Sequence, residues 1–209
     1  MGSRIMHAII AYKVADALHI TNKTEFILGG IAADASSNKE ASHFYTGKHE
    51  DYTRRIDYES FIKKYNGHAT NDFILGYFAH LIADEYWLQG FYLPWLKNRI
   101  ETNAEVLPLY HQDFQVLNTK LIHYYNLKDG LINHLTNDAQ LLKLDEVQPN
   151  EVMHFARYVI EDMNDKVGNL HTTLNVFTLE QIIGYIETSV EKCIYMIQQK
   201  QSNTPRVNC

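Results

Sequence analysis

The stretch from Phe73 to Leu88 constrains the fold more than any other. Phe73, Tyr77, Leu81 and Leu88 fall on one face of a helix, and Ile74, Phe78 and Ile82 on the opposite face. A helix apolar nearly all round is covered by other elements, so this one passes through the interior. His80 and Asp84 go in with it, four residues apart, hence on one side and about 6 Å apart along the axis. A buried carboxylate costs several kcal/mol unless it is paired or bound to a cation. The imidazole one turn before it offers a second donor to a single ion, and Gly76, a turn earlier, leaves space beside them. The competing reading is a His–Asp hydrogen bond that only stabilises the core.

Helical spacing continues from end to end, and alternating strand patterns are scarce. With 209 residues and 45% apolar content, the chain fits one domain. The expectation is an all-α, single multi-helix domain over residues 1–200, with 201–209 as a polar tail. The predicted first helix is Ile5 to Leu18. Asn22 and Glu25 form a capping pair for a short helix ending at Gly29-Gly30. Ala32 to Asp57, with Ser36, Ser37, Asn38 and Ser42, reads as a long loop, and long loops in compact domains tend to be functional. Asp57 to Tyr65 reads as a helix. Asn71 caps the long buried helix, which bends near Gly90 and Pro94. Further helices are expected at Ala104 to Asn126 and Asn150 to Val167. Thr178 and Gln181 make a capping box for a last helix reaching Gln199.

Composition removes several function classes. A net charge of −6 with scattered basic residues argues against a nucleic-acid scaffold, which needs clustered Lys and Arg. Arg54-Arg55 and Lys63-Lys64 read as pairs on solvated faces. Two cysteines, Cys193 and Cys209, make neither a disulfide framework nor a Cys-based zinc site. Residues 1–18 are interrupted by His7, Lys13 and Asp16, a poor signal peptide, and Met6 stands where a myristoylation signal wants Ser or Thr. No stretch is long and apolar enough to span a bilayer, so a cytoplasmic location is expected. No glycine-rich nucleotide fingerprint occurs.

Other residues decide what His80 and Asp84 mean. His7 lies on the first helix with Ile10, Ala11, Val14 and Leu18, facing the core. Asp34 follows Gly29-Gly30, where absent side chains permit tight turning and close packing. His43 stands between Ser42 and Phe44 in the polar stretch. Taken singly, each has a bland reading: a core histidine, a turn or cap residue, an exposed loop histidine. Taken in order, His7, Gly-x-x-x-Asp34, Ser-His43-Phe and His80-x-x-x-Asp84 resemble the zinc-dependent phospholipase C family, whose all-α fold is shared by some zinc nucleases. The likeness covers Ser3 to about Asn98, including Phe26-Ile-Leu-Gly-Gly-Ile-Ala-Ala-Asp34, and beyond it is nearest to short bacterial members. It implies that Asp34, His43, His80 and Asp84 gather around one metal, with Asp84 able to bridge, and that His7 serves a neighbouring ion. Two departures stand out. Six residues precede His7, so no N-terminal donor is offered, and no His-x-x-x-Glu occurs.

The chemistry implied is hydrolysis of phosphate esters, as a phosphodiesterase or phosphatase acting on a small substrate, with water activated by the metal. His43, His80 and Asp84 are the expected ligands and Asp34 a ligand or base. Tyr77 and Glu85 are secondary candidates for supporting or substrate contacts, and His111 and Asp113 candidate substitutes on what reads as a polar helix face. Zinc is the expected cofactor, with iron or manganese as alternatives: one tightly held ion, at most a second weaker one, and no three-metal cluster. Two rival functions stay open. One is a nucleotide phosphohydrolase of the HD type, although no adjacent His-Asp occurs; the other is a non-catalytic helical binding protein that keeps a metal for stability.

Overall fold

The computed structural model describes residues 3–164 and 167–203 and is all-α apart from one small hairpin. In chain order the helices are α1 (Arg4–Ala17), α2 (Lys23–Ala35), α3 (Lys39–Ser42), α4 (Tyr58–Lys64), α5 (Asp72–Trp87), α6 (Lys97–Thr102), α7 (Val106–Tyr125), α8 (Lys128–Thr136), α9 (Pro149–Asp162) and α10 (Leu179–Asn203). The hairpin pairs β1 (Tyr45–Thr46) with β2 (Arg55–Ile56), antiparallel, Tyr45 opposite Ile56. No helix among the described residues is long and apolar enough to cross a membrane.

Side chains that satisfy orphan backbone donors start several helices. Ser3 accepts from Met6 N, Asn22 from Glu25 N, and Asn71 from Phe73 N and Ile74 N. The predicted capping box is present: Gln181 N donates to Thr178 Oγ1 at 3.2 Å, and Thr178 N to Gln181 Oε1 at 2.9 Å. As its pattern requires, α5 is buried along almost its whole length. It packs against α1, α2, α4 and α10. From α10, Tyr185 donates to the Ala83 carbonyl and the Cys193 thiol to that of Ala79.

Three expectations need correction. Gly29-Gly30 does not end α2, which runs on to Ala35. A β-carbon on Gly29 would lie 2.2 Å from the Phe73 carbonyl oxygen, and one on Gly76 only 1.9 Å from that of Phe26. These glycines let the backbones of α2 and α5 touch. A β-carbon on Gly30 would meet Ala11 Cβ at 2.4 Å, so α1 closes in as well. The stretch 32–57 is not one loop. It holds the last turn of α2, the single-turn α3 capped by Asn38, and both strands; elements of two to four residues are too short to leave a period.

Third, α9 stops at Asp162 rather than Val167. The chain also forms α8, where Gly130 and its polar neighbours dilute the helical pattern and Leu131 and Leu135 bury one side. The bend expected near Gly90 and Pro94 is a widened turn. Leu88–Leu96 is π-helical, with Lys97 N donating to Tyr92 O, five residues back, a register that accommodates a residue lacking an N–H. Of the expected tail, 201–203 complete α10 and 204–209 lie outside the described residues.

Candidate metal centre

The close approach of α1, α2 and α5 sets the site. One turn past the glycine contact, α5 presents His80 and then Asp84. From α2 comes Asp34, four residues after Gly30, and from α1 comes His7. His43 arrives from the end of α3, where Phe44 at φ 51° turns the chain into β1. That left-handed conformation is uncommon for a bulky residue. It is held by the Phe44 ring against Phe61 and by Asp57 N donating to Phe44 O. All five residues singled out in the sequence converge. His7, His43, His80 and Asp84 are at most 2% exposed, whereas the Asp34 side chain is 19% exposed.

Three donor atoms form a nearly equilateral triangle. His43 Nε2 lies 3.3 Å from His80 Nε2 and 3.3 Å from Asp84 Oδ2, and His80 Nε2 lies 3.5 Å from that same oxygen. Asp34 Oδ1 is 3.6 Å from His43 Nε2. Ligands about 2.0–2.2 Å from a tetrahedral zinc lie about 3.3–3.6 Å from one another, so the triangle fits three positions around such an ion, while Asp34 groups with His7 and His80. The ring tautomers agree. His80 Nδ1 bonds the Gly30 carbonyl at 2.8 Å and His43 Nδ1 the Lys39 carbonyl at 3.1 Å. A carbonyl can only accept, so Nδ1 carries the hydrogen in both rings, and each neutral Nε2 turns a bare lone pair to the centre. Two imidazole lone pairs and a carboxylate oxygen facing one point repel unless a cation stands between them.

Asp84 faces two ways. Oδ2 belongs to the triangle, while Oδ1 lies 3.2 Å from His7 Nε2, out of line for a hydrogen bond. Both oxygens, and both nitrogens of His7, are buried without a hydrogen-bond partner. Such orphans are rare and point to a missing ion or water. His7 stacks on His80 at 3.9 Å between ring centres. His7, Asp34 and His80 form a second trio whose donor atoms lie within 4.8 Å of one another. The five residues therefore make one continuous cluster in which both His80 and Asp84 face two groups.

The charges answer one another. Burial alone would raise both carboxyls; instead the nearness of His43 and the charges of His80 and His7 hold Asp34 below its usual range, and the charge of His7 and the nearness of His43 hold Asp84 well below it. Burial lowers His43, but the carboxylates of Asp34 and Asp84 beside it prevail and push it up to about 9. Burial and the charge of His7 lower His80. A proton on His43 thus stands in when no cation does.

The secondary candidates stand around the cluster, clear of the donor triangle. Tyr77 donates to the Ser42 carbonyl at 2.7 Å and so fixes the residue before His43. Glu85 accepts from Ile56 N at 2.6 Å and anchors β2. His111 is exposed, on a separate cleft with His49 and Tyr92. Asp113 is not on a polar face: it is fully buried, and its carboxylate receives the backbone N–H groups of Asn175, Val176 and Phe177. Its work is to hold the segment leading into α10. Arg54, read as solvated, is 8% exposed and lies 3.9 Å over the Tyr45 ring, which in turn stacks on His43. Spacing gave no sign of that stack, because the hairpin alone brings its members together.

Comparisons with models of known families, with curated proteins and with solved structures gave no match.

Proposed function

We propose that this chain is a metal-dependent hydrolase of phosphate esters, of the kind implied by its resemblance to the zinc-dependent phospholipases C. The observation that supports this reading best is the triangle of His43, His80 and Asp84, whose free electron pairs meet at ligand spacing. These three would hold one ion, with Asp34 as fourth donor. His7 and the second oxygen of Asp84 would face another, weaker one. A divalent ion bound there supplies Lewis acidity, making water more acidic and offsetting charge on phosphoryl oxygens.

The chain's own residues define the rest. Asp34 belongs both to the cluster and to the wall of a cleft of about 400 Å³, where it meets Ser3, Arg4 and Lys39. Because its carboxyl is held low, Asp34 stays ionised at neutral pH, which suits a ligand, or an acceptor that aims a water by taking one of its hydrogens, better than a strong base. Gly30 O and Lys39 O keep the imidazoles of His80 and His43 turned inward. Four nearly sealed donors are compatible with the non-catalytic rival, since structural metal sites are closed on all sides. The exposed edge of Asp34 favours the catalytic reading.

The test is hydrolysis of p-nitrophenyl phosphate and bis-p-nitrophenyl phosphate by protein of measured metal content. Turnover that a chelator abolishes and zinc or manganese restores is expected. Fully loaded protein that turns over neither ester, nor any of a broad phosphate-ester panel, would leave the non-catalytic reading in its place.

A further inference from the structure

The cleft beside Asp34 does not end at the cluster. Gln115, Asn118 and Asp162 line it and also line a second pocket of about 210 Å³, which Glu161 and Asn169 continue. The two form one groove between α7 and α9. At its inner end Arg4 and Lys39 flank the Phe155 ring, 5.3 and 5.9 Å from its centre. Arg4 Nε is 3.0 Å from Asp162 Oδ2, which orients the guanidinium. Two cations next to the Asp34 end are suited to a phosphoryl group. Further out the lining changes to amides and carboxylates. Asn118 is 8% exposed, and its Oδ1 is buried with no hydrogen-bond partner among the described residues.

We propose that this groove selects monophosphates of small polyhydroxylated molecules, sugar or polyol phosphates, an inference that rests on the phosphoester-hydrolase reading. A hydroxyl both donates and accepts, so a row of hydroxyls matches the Gln115 and Asn118 amides that line both pockets. Glu161, at the outer end, accepts from a further hydroxyl and repels a second phosphate, which disfavours nucleoside di- and triphosphates. Among the described residues the apolar side chains of the lining are Phe114 and Phe155, too little to cover an acyl chain.

Calorimetric titration of the full chain, as purified, with glucose 6-phosphate, glucose and inorganic phosphate provides the test. Glucose 6-phosphate is expected to bind at least tenfold more tightly than either component. Asn118→Ala removes the buried acceptor, and Gln115→Trp fills the groove from an exposed position that the fold does not depend on. Each is expected to cut the advantage over inorganic phosphate to threefold or less, with an unchanged circular dichroism spectrum. Equal binding of glucose 6-phosphate and inorganic phosphate by the unaltered chain overturns the proposal, as does tighter binding of dihexanoylphosphatidylcholine. An advantage that survives Gln115→Trp also overturns it. The two readings fail separately. Metal-dependent turnover of p-nitrophenyl phosphate without sugar-phosphate preference removes only the groove, and sugar-phosphate binding without any turnover removes only the hydrolase.

Discussion

Asp84 and Asp113 are both fully buried carboxylates, but they meet opposite fates. Asp113 is saturated by backbone N–H groups, whereas neither oxygen of Asp84 has a hydrogen-bond partner. Replacing each by alanine separates structure from metal binding. Asp113→Ala strands three backbone donors and is expected to cost about 3 kcal/mol or more, with metal content per chain unchanged. Asp84→Ala is expected to remove the tightly held metal and, in protein purified with metal, about 3–5 kcal/mol of stability. Elemental analysis beside urea unfolding reads both, and equal metal retention in the two variants would overturn the ligand assignment. The sequence singled out Asp84 because its helix is apolar all round. It misjudged Asp113, because the groups that bury it come from the segment 175–177, more than sixty residues away.

The contact between α2 and α5 decides whether Asp34 and His80 can share a centre. The Gly76→Ala methyl would run into the Phe26 carbonyl, which belongs to backbone and cannot swing aside. The helices must part, at an expected cost of about 1–3 kcal/mol together with loss of metal. Gly90 has open space where its β-carbon would be, so Gly90→Ala is expected to be neutral or stabilising by up to about 1 kcal/mol. Thermal melts and metal content of the pair check this, and a harmless Gly76→Ala would refute the backbone contact.

A second tie joins α1, α7 and α10, since Glu187 receives Lys13 at 2.6 Å and Tyr125 at 2.7 Å. Burial raises Glu187, but these bonds outweigh it and set the folded carboxyl below its ordinary 4.5. Its stabilisation is therefore full above that value and disappears as pH falls through the lower folded one. With the side chain 44% exposed, the tie contributes no more than about 1 kcal/mol. The stability gap between the native chain and Glu187→Gln is expected at pH 7 and should close as pH drops below 4.5. A gap that widens in acid would contradict the sign.

Across the whole molecule, the candidate donors belong to α1, α2, α5 and the junction of α3 with the hairpin, so one ion would fasten α2, α5 and that junction, and a second would add α1. Ligand bound only by the folded state at about a thousand times its dissociation constant adds about 4 kcal/mol. For a chain of this size that is a rise of roughly 10 °C in melting temperature. Exhaustive dialysis is expected to leave one metal per chain, rising toward two when metal is added. A chelator should then lower the melting temperature by about that amount. Three retained ions, or a melt indifferent to chelator, would each be incompatible with the cluster as described.

What the sequence determined by itself was the helical character and the burial of α5 with His80 and Asp84. Both follow from local periodicity and from the intolerance of an apolar interior for a lone carboxylate, whereas His7, Asp34 and His43 joined that pair only as the resemblance to the zinc-dependent phospholipases C implies. Where Gly29, Gly30 and Gly76 stand was legible as well, but not what they do. Whether a glycine ends a helix or admits a neighbour depends on the neighbour, and only the packed α2 and α5 show that it is the second. The same holds for His43, whose surroundings in the sequence are polar. Its burial, the tautomer set by the Lys39 carbonyl and the Arg54–Tyr45 stack over its ring arise from contacts that no spacing encodes. Long-range packing brought the donors to ligand distance, because the free energy that holds them there belongs to the helices behind them.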